Sequence, residues 1–282
     1  YLHKIFGEFH SKIAKALDTY GEMFSWFEHQ VDYAVKLKFL KKICSTLIEN
    51  GYTDYTLNKL EKNLEYVKAK GTASCIYHPK FPFDFNNESG GRIISAAFHD
   101  GSLSDRRFTY CNHITSLKKR IYQDVRNIFG DVIVKVNFDI ARFPKIIYNV
   151  LVVGLGMSPG EKVLTDPSYP SFVFNSPSMW KGIFDQAISD DGFISNKSIG
   201  ILITVDTTFG SKIPNILKQD KIIFEKLGFI INCCSLSKRY KVNIENKTLI
   251  REQWSLNFAG RENLLNASRM GILHPGKKKK LE

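Results

Sequence analysis

Apolar residues near the N-terminus follow a helical period. They recur every three or four positions in two runs, Leu37, Leu40, Ile43 and Leu47, then Leu57, Leu60 and Leu64. An Asn50-Gly51 break separates the runs, and Thr53 or Asp54 is a suitable N-cap for the second. The pattern predicts an all-α N-terminal domain over residues 1–72. Its two helices form either a DNA-reading helix-turn-helix or a plain helical hairpin.

A proline-bearing stretch follows, and the Gly90-Gly91 pair after it marks a boundary, which predicts a linker over residues 73–91. Beyond it, helical and strand-like patterns alternate twice. The first round has helices at 92–100 and 114–129 and strands at 107–112, 132–137 and 146–153. The second has helices at 178–191, 213–227 and 262–270 and strands at 198–205, 229–234, 240–244 and 253–258.

The same order of elements in both rounds predicts an α+β fold with an internal repeat. The first repeat spans residues 92–156 and the second spans 175–274. A Pro159-Gly160 turn suits an inter-repeat linker over residues 157–174, and residues 275–282 read as a flexible basic tail.

The charge balance points to a polyanionic partner. Lys and Arg number 40 against 28 Asp and Glu, a net charge of +12, which favours nucleic acid first and an acidic membrane surface second. No apolar run reaches the roughly 18 to 20 residues of a spanning helix, so we expect a cytoplasmic protein, nucleoid-associated in a prokaryote, with no membrane partner. The scattered cysteines lack paired CxxC spacing, so no structural zinc site is predicted.

Each repeat begins with a helix that ends in an acid followed by glycine, at Asp100-Gly101 and Asp191-Gly192. A carboxylate at a helix C-terminus faces the negative end of the macrodipole, so two such placements need an explanation. A bound cation supplies one, while a simple Asp-Gly turn would explain either instance alone. Two instances at matching places in a repeat favour the cation.

The paired motifs and their shared downstream order resemble the LAGLIDADG homing endonuclease family, specifically its monomeric, two-motif members of archaeal and organellar type. The separation of Asp100 from Asp191 is similar to that between the motifs of this family. So are the basic helices that end near Gly130 and Gly228 and the closing segment 258–264. The resemblance covers residues 81–273.

The resemblance implies two pseudo-symmetric αββαββα repeats that form a saddle over the major groove of a long double-stranded DNA site. The motif helices would pack along the pseudo-two-fold axis through small residues such as Ser95, Ala96, Ala97 and Ala187. A monomer would cut both strands at a specific site, using Mg²⁺ or Mn²⁺. The implied metal site comprises Asp100 and Asp191 with the adjoining Gly101 and Gly192, because carboxylate oxygens suit hard divalent cations.

Family nucleases also place a basic residue near each metal, and Lys135 and Lys241 are the candidates here. An ordinary phosphate contact or a solvated strand lysine is the alternative for each. A larger basic set fits anchoring to the DNA backbone, which gives affinity without sequence information. It consists of Arg106, Arg107, Lys118, Lys119, Arg120, Lys238, Arg239 and Lys241.

The sequence departs from the family where the two helices come closest. The residue before the second acid of the motif is commonly small, but here it is His99 in one half and Asp190 in the other. A pairing of His99 with Asp190 across the interface would accommodate both side chains. The same two residues could disable the metal sites, so a catalytically inactive DNA-binding regulator or RNA-maturation factor is the alternative function. A structural protein with incidental basicity is a third.

Overall fold

The computed structural model describes residues 37–282 except 50, 55, 70, 71, 73, 208–211, 245 and 246. It divides into two compact units, Tyr1–Val67 and Lys68–Glu282. In the first unit, α1 (Leu37–Glu49) buries Leu40, Ile43 and Leu47, as their spacing predicts. The short α2 (Leu57–Lys62) is capped by Thr56 rather than by Thr53 or Asp54. The first 36 residues of the predicted all-α domain lie outside the described residues.

Strand β1 (Tyr66–Lys68) lies at the boundary of the two units, so the N-terminal segment is not helical up to residue 72. The second unit opens with β2 (Cys75–Tyr77), which pairs with β5 (Asp131–Val132). None of the described helices is both long and apolar enough to cross a bilayer.

The rest of the second unit is mixed α+β and repeats one order of elements, helix, two strands, helix, two strands, helix. The first copy consists of α3 (Glu88–Phe98), β3 (Gly101–Ser104), β4 (Arg107–Cys111), α4 (Thr115–Phe129), β6 (Lys135–Asn137), β7 (Ile140–Arg142) and α5 (Lys145–Asn149). After α6 (Lys162–Thr165), the second copy consists of α7 (Pro177–Asp190), β8 (Gly192–Ile194), β9 (Ser198–Asp206), α8 (Asn215–Lys226), β10 (Cys233–Ile244), β11 (Lys247–Ala259) and α9 (Arg261–Met270). A short helix, α10 (Pro275–Lys278), follows α9.

Both copies build a four-stranded antiparallel sheet in the same order. The first sheet runs β3-β4-β7-β6 and the second runs β8-β9-β11-β10. Burial alternates along β3, β4, β7 and the second half of β11, which gives each sheet one apolar face, with Phe108 and Tyr110 on β4 and Leu256 and Phe258 on β11 fully buried. Helices pack on these faces, and the opposite face of each sheet carries most of the exposed strand residues.

Helices α3 and α7 cross where each presents a glycine to the other's backbone. A Cβ added at Gly91 would lie 2.2 Å from the Met179 carbonyl oxygen, and one at Gly182 would lie 2.1 Å from that of Glu88. Only glycine allows this separation, because a Cβ in either place would overlap a backbone atom. Ser95 Oγ then donates to the Ile183 carbonyl across the crossing (3.2 Å), beside the fully buried Ala96 and Ala187.

Some predicted boundaries are wrong. Residues 146–153 are helical rather than a strand, because Ile147 and Leu151, one turn apart, both bury completely. The two strands predicted at 229–234 and 240–244 are one strand, β10. Gly90 and Gly91 lie in the first turn of α3 rather than in a linker, since the helix crossing needs a glycine there.

Candidate functional site

Asp100 and Asp191 occupy the same place in the two copies. Each follows the end of a crossing helix and precedes the first strand of its sheet. The Asp100 carbonyl accepts from Cys111 N (3.1 Å), and the Asp191 carbonyl accepts from Leu202 N (3.2 Å), which are matching positions on the second strands. The two carboxylates are therefore presented alike by the fold.

The glycine after each acid has a structural reason of its own. A Cβ added at Gly101 would lie 2.4 Å from the Ala96 carbonyl oxygen, and one at Gly192 would lie 2.5 Å from that of Ile188. Glycine thus lets the strand leave directly beside the helix that precedes it. Close packing against the preceding helix therefore explains the two glycines, but it does not explain the acids before them.

The Asp100 carboxylate lies at the open side of the site. Its Oδ2 accepts from Asn112 Nδ2 at 2.6 Å, and Asn112 is itself fixed because its Oδ1 accepts from Ile114 N (2.8 Å). Burial and the negative charge of Asp191 raise the pKa of Asp100 above its ordinary value. A pocket of about 330 Å³ opens beside it, and His113, Asp139 and His274 line its wall.

Asp190 is a third carboxylate between the two halves. Its Oδ1 accepts from Tyr110 OH (2.6 Å), and its Oδ2 accepts from Gln186 Nε2 (2.8 Å) and from the backbone N–H of Asp100 (3.5 Å). Burial and the charge of Asp100 raise the pKa of Asp190 to about 7. Asp190 therefore ties the second motif helix to the first sheet.

His99 pairs with Asp191, so the expected pairing with Asp190 is wrong. His99 is 1% exposed, and its Nδ1 donates to Asp191 Oδ2 at 2.9 Å. Burial alone would lower the pKa of His99, but the hydrogen bond to Asp191 and the charge of Asp220 raise it. Burial opposes ionisation of Asp191 in turn, yet the bond and charge of His99 keep its pKa below the ordinary value. The two form an ion pair across the halves.

A buried acid and a tyrosine lie at the second ring nitrogen of His99. Asp220 Oδ2 lies 3.7 Å from His99 Nε2, and Tyr169 OH lies 3.4 Å from the same nitrogen while donating to Asp220 Oδ1 (2.8 Å). Asp220 is fully buried, and burial raises its pKa to about 6. The imidazole is thereby held on both edges.

Two lysines bring positive charge to the acids. Lys162, on α6 between the copies, has its pKa lowered by burial, while the charges of Asp191 and Asp100 act against that shift. Lys277 Nζ donates to the carbonyls of Ile188 (2.8 Å), Ser189 (2.8 Å) and Asp190 (3.2 Å) and so caps the C-terminus of α7. Lys277 is thus not part of a flexible tail.

Lys135 and Lys241, the predicted basic active-site residues, lie on the outer strands β6 and β10 and are exposed. The lysines whose charges act on the acids are instead Lys162 and Lys277. Local sequence gave no sign of this, because both reach the acids only through tertiary contacts.

The predicted DNA-binding residues separate into groups. Arg106 and Arg107 are exposed at the β3–β4 turn, and Lys238 is on the solvent-facing side of β10. Arg239 and Lys241 lie on the other side of β10, where Arg239 Nε donates to the buried Glu252 (2.9 Å).

Lys118, Lys119 and Arg120 lie on α4, which packs against α3. Arg120 lies 3.6 Å from the buried Asp124, and Lys118 pairs with Asp139 (3.2 Å), whereas Lys119 is exposed. The structure therefore does not group these three with the residues of the sheet face.

No protein-family model matches this chain, and no curated protein matches its sequence.

Proposed function

We propose that this chain is a site-specific endonuclease of double-stranded DNA, of the LAGLIDADG homing type. The observation that carries the proposal is the equivalent placement of Asp100 and Asp191, each at the end of a crossing helix and the start of a matching four-stranded sheet. Two equivalent carboxylates related by a repeat suit a substrate with two antiparallel strands. The solvent-facing sides of the two sheets would form the saddle that lies over the major groove.

The solvent side of the first sheet has the composition of a nucleic-acid surface. Strand register puts Arg107, Thr109, Lys135 and Arg142 on it, opposite the face that buries Phe108 and Tyr110. On the second sheet, Lys238, Gln253, Ser255 and Asn257 share the corresponding face. Cations for phosphates and amides for base edges are the groups that duplex recognition uses.

The acids fit Mg²⁺ or Mn²⁺. Burial and the charge of Asp191 raise the pKa of Asp100, and burial and the charge of Asp100 raise the pKa of Asp190. A divalent cation would relieve this repulsion between the acids. Asp100 and Asp191 each use Oδ2 for an internal hydrogen bond, which leaves Oδ1 for a cation. Gly101 and Gly192 offer only backbone oxygens.

Within the described residues no set of three or more histidine, cysteine or acidic side chains converges as a complete metal cage. Mg²⁺ commonly takes one or two carboxylates and completes its shell with water and substrate phosphates, so DNA would supply the remaining ligands. When bound, the cation supplies positive charge that stabilises the attacking and leaving oxygens of phosphodiester hydrolysis. Asn112 and His99 orient the carboxylates, and Lys162 adds positive charge beside them.

A non-cleaving DNA-binding protein is the second candidate. The ion pair between His99 and Asp191 favours it, because the imidazole occupies one oxygen of a proposed metal ligand. Such a protein would retain the sheet surface and act as a regulator or in RNA maturation.

The test is selection and cleavage of duplexes from a random-sequence library with Mg²⁺, followed by sequencing of the ends. We expect Asp100→Asn and Asp191→Asn to abolish cleavage while binding stays nearly intact, because the amide keeps the shape but loses the charge that holds the cation. Asp105→Asn, at an exposed turn, is the control and should cut like the wild type. A wild type that binds a defined site but never cuts it with Mg²⁺ or Mn²⁺ favours the second candidate.

A further inference from the structure

The turn between β6 and β7 presents an aromatic ring to solvent at a conformational cost. Phe138 is 91% exposed and has φ of +49°, a left-handed conformation that bulky side chains rarely adopt. The left-handed backbone of Phe138 costs free energy, and the exposed ring gains none of the stabilisation that burial would give. A contact outside the chain would offset that cost.

The turn is held in place rather than loose. Lys118 Nζ, from α4, donates to the Phe138 carbonyl (3.2 Å) and to Asp139 Oδ1 (3.2 Å). The backbone N–H of Asn112 donates to the Asp139 carbonyl (3.0 Å). The ring is therefore presented from a fixed backbone.

Strand register places this turn at the catalytic end of the first sheet. Gly101, next to Asp100, pairs with Tyr110, and Cys111 pairs with Ile140, directly after the turn. Asn112 binds both Asp100 and the turn, and Asp139 lines the same pocket as Asp100. A ligand at Asp100 would thus lie close to the turn that carries Phe138.

The charges around the turn identify the kind of partner. Lys135 and Arg142 are direct cross-strand neighbours on the solvent side of the sheet, an arrangement of like charges that is unfavourable without a counterion. An exposed aromatic ring on the same hairpin as paired cations suits a nucleic acid, which has a polyanionic backbone and stacked apolar bases inside it. Val136, also exposed, points to the opposite side with Ala141.

We propose that Phe138 stacks on or wedges between base pairs next to the cleavage position and unstacks the duplex there. The inference rests on the proposed function and adds to it a device for DNA deformation. Apolar side chains that insert between base steps kink the duplex, and the cost of unstacking depends on the step, so Phe138 would also contribute specificity without hydrogen bonds to bases.

The test uses the full chain and a duplex recovered by the wild type from the random-sequence library, with 2-aminopurine at each position around the cleavage site in turn. We expect the wild type to raise 2-aminopurine fluorescence at one step. Phe138→Asn should lose that increase and weaken binding about tenfold, the lower range of one base stacked on an aromatic side chain. Phe138→Trp should retain both.

Val136→Thr is the matched control on the same hairpin and should stay within about twofold of the wild type, since its side chain is on the other face. Asn suits a left-handed φ, so Phe138→Asn should fold at least as stably as the wild type. If the wild type binds and cuts but Phe138→Asn gives the same fluorescence, or Val136→Thr loses it too, the inference is wrong and a protein partner for the hairpin takes its place. If the wild type binds no duplex, the proposed function itself is wrong.

Discussion

The crossing of α3 and α7 can be tested by adding a single methyl group at either glycine. Gly91→Ala and Gly182→Ala would each place a Cβ about 1 Å too close to a backbone oxygen. Neither oxygen belongs to a flexible side chain, so the helices must separate. Overpacking costs about 1 to 3 kcal/mol and occasionally more, and a clash with backbone belongs at the upper end, about 3 kcal/mol. For a unit of this size that lowers the melting temperature by roughly 6 to 12 °C.

Gly154→Ala is the matched control, because its added Cβ would meet only Val150 Cγ1 at 3.7 Å, an ordinary contact. This variant measures the stabilisation, up to about 1 kcal/mol, that replacing glycine with alanine gives a helix without any clash. The same outward movement of the two helices relieves both clashes. The double variant Gly91→Ala/Gly182→Ala should therefore lose less stability than the sum of the losses of the two single variants. Thermal unfolding followed by circular dichroism measures all four proteins. If the Gly91→Ala and Gly182→Ala variants have the same melting temperature as the Gly154→Ala control, the close crossing is refuted.

Three further predictions concern buried charge. Asp124→Asn should destabilise the protein by about 3 to 5 kcal/mol, because Arg92, which is 4% exposed, keeps its charge and loses its closest partner (2.8 Å). Denaturant unfolding measures this loss, and the control Asp131→Asn, at an exposed position, should show no comparable one. Lys277→Met should lower the free energy of unfolding by about 2 kcal/mol by the same measurement, since three carbonyls at the end of α7 lose a charged donor. Lys277→Arg should retain part of that stability, and equal stability of the Met and Arg variants would rule out capping. The pKa of Asp220 is raised by burial to about 6, so its protonated form favours the folded state, and this stabilisation is present below about pH 4 and lost as the pH rises through 6. Melting temperature between pH 4 and 7 should therefore fall less steeply in Asp220→Asn, and an unchanged slope would contradict the buried, raised acid.

The local sequence pattern correctly predicted the helices and strands that bury a single apolar face. The bounds of α4, α7, β9 and α9 lie within one residue of the predicted ones, because their apolar period reports directly which side is buried. The equivalence of Asp100 and Asp191 also came from sequence, since the repeat puts both after a helix and before glycine. The strand predicted at residues 146–153 is wrong because its β-branched residues favour strands in general, whereas in the structure only Ile147 and Leu151, at helical spacing, are fully buried.

Tertiary structure alone decided which partners meet at the site. His99 and Asp191 come from different halves, and only the packing of α3 against α7 decides that His99 meets Asp191 rather than Asp190. Lys277 reaches α7 from the far end of the chain, and Lys162 acts on the acids from between the copies. Periodicity describes a face of one element, whereas these contacts depend on the packing of several elements, so no local pattern contains them.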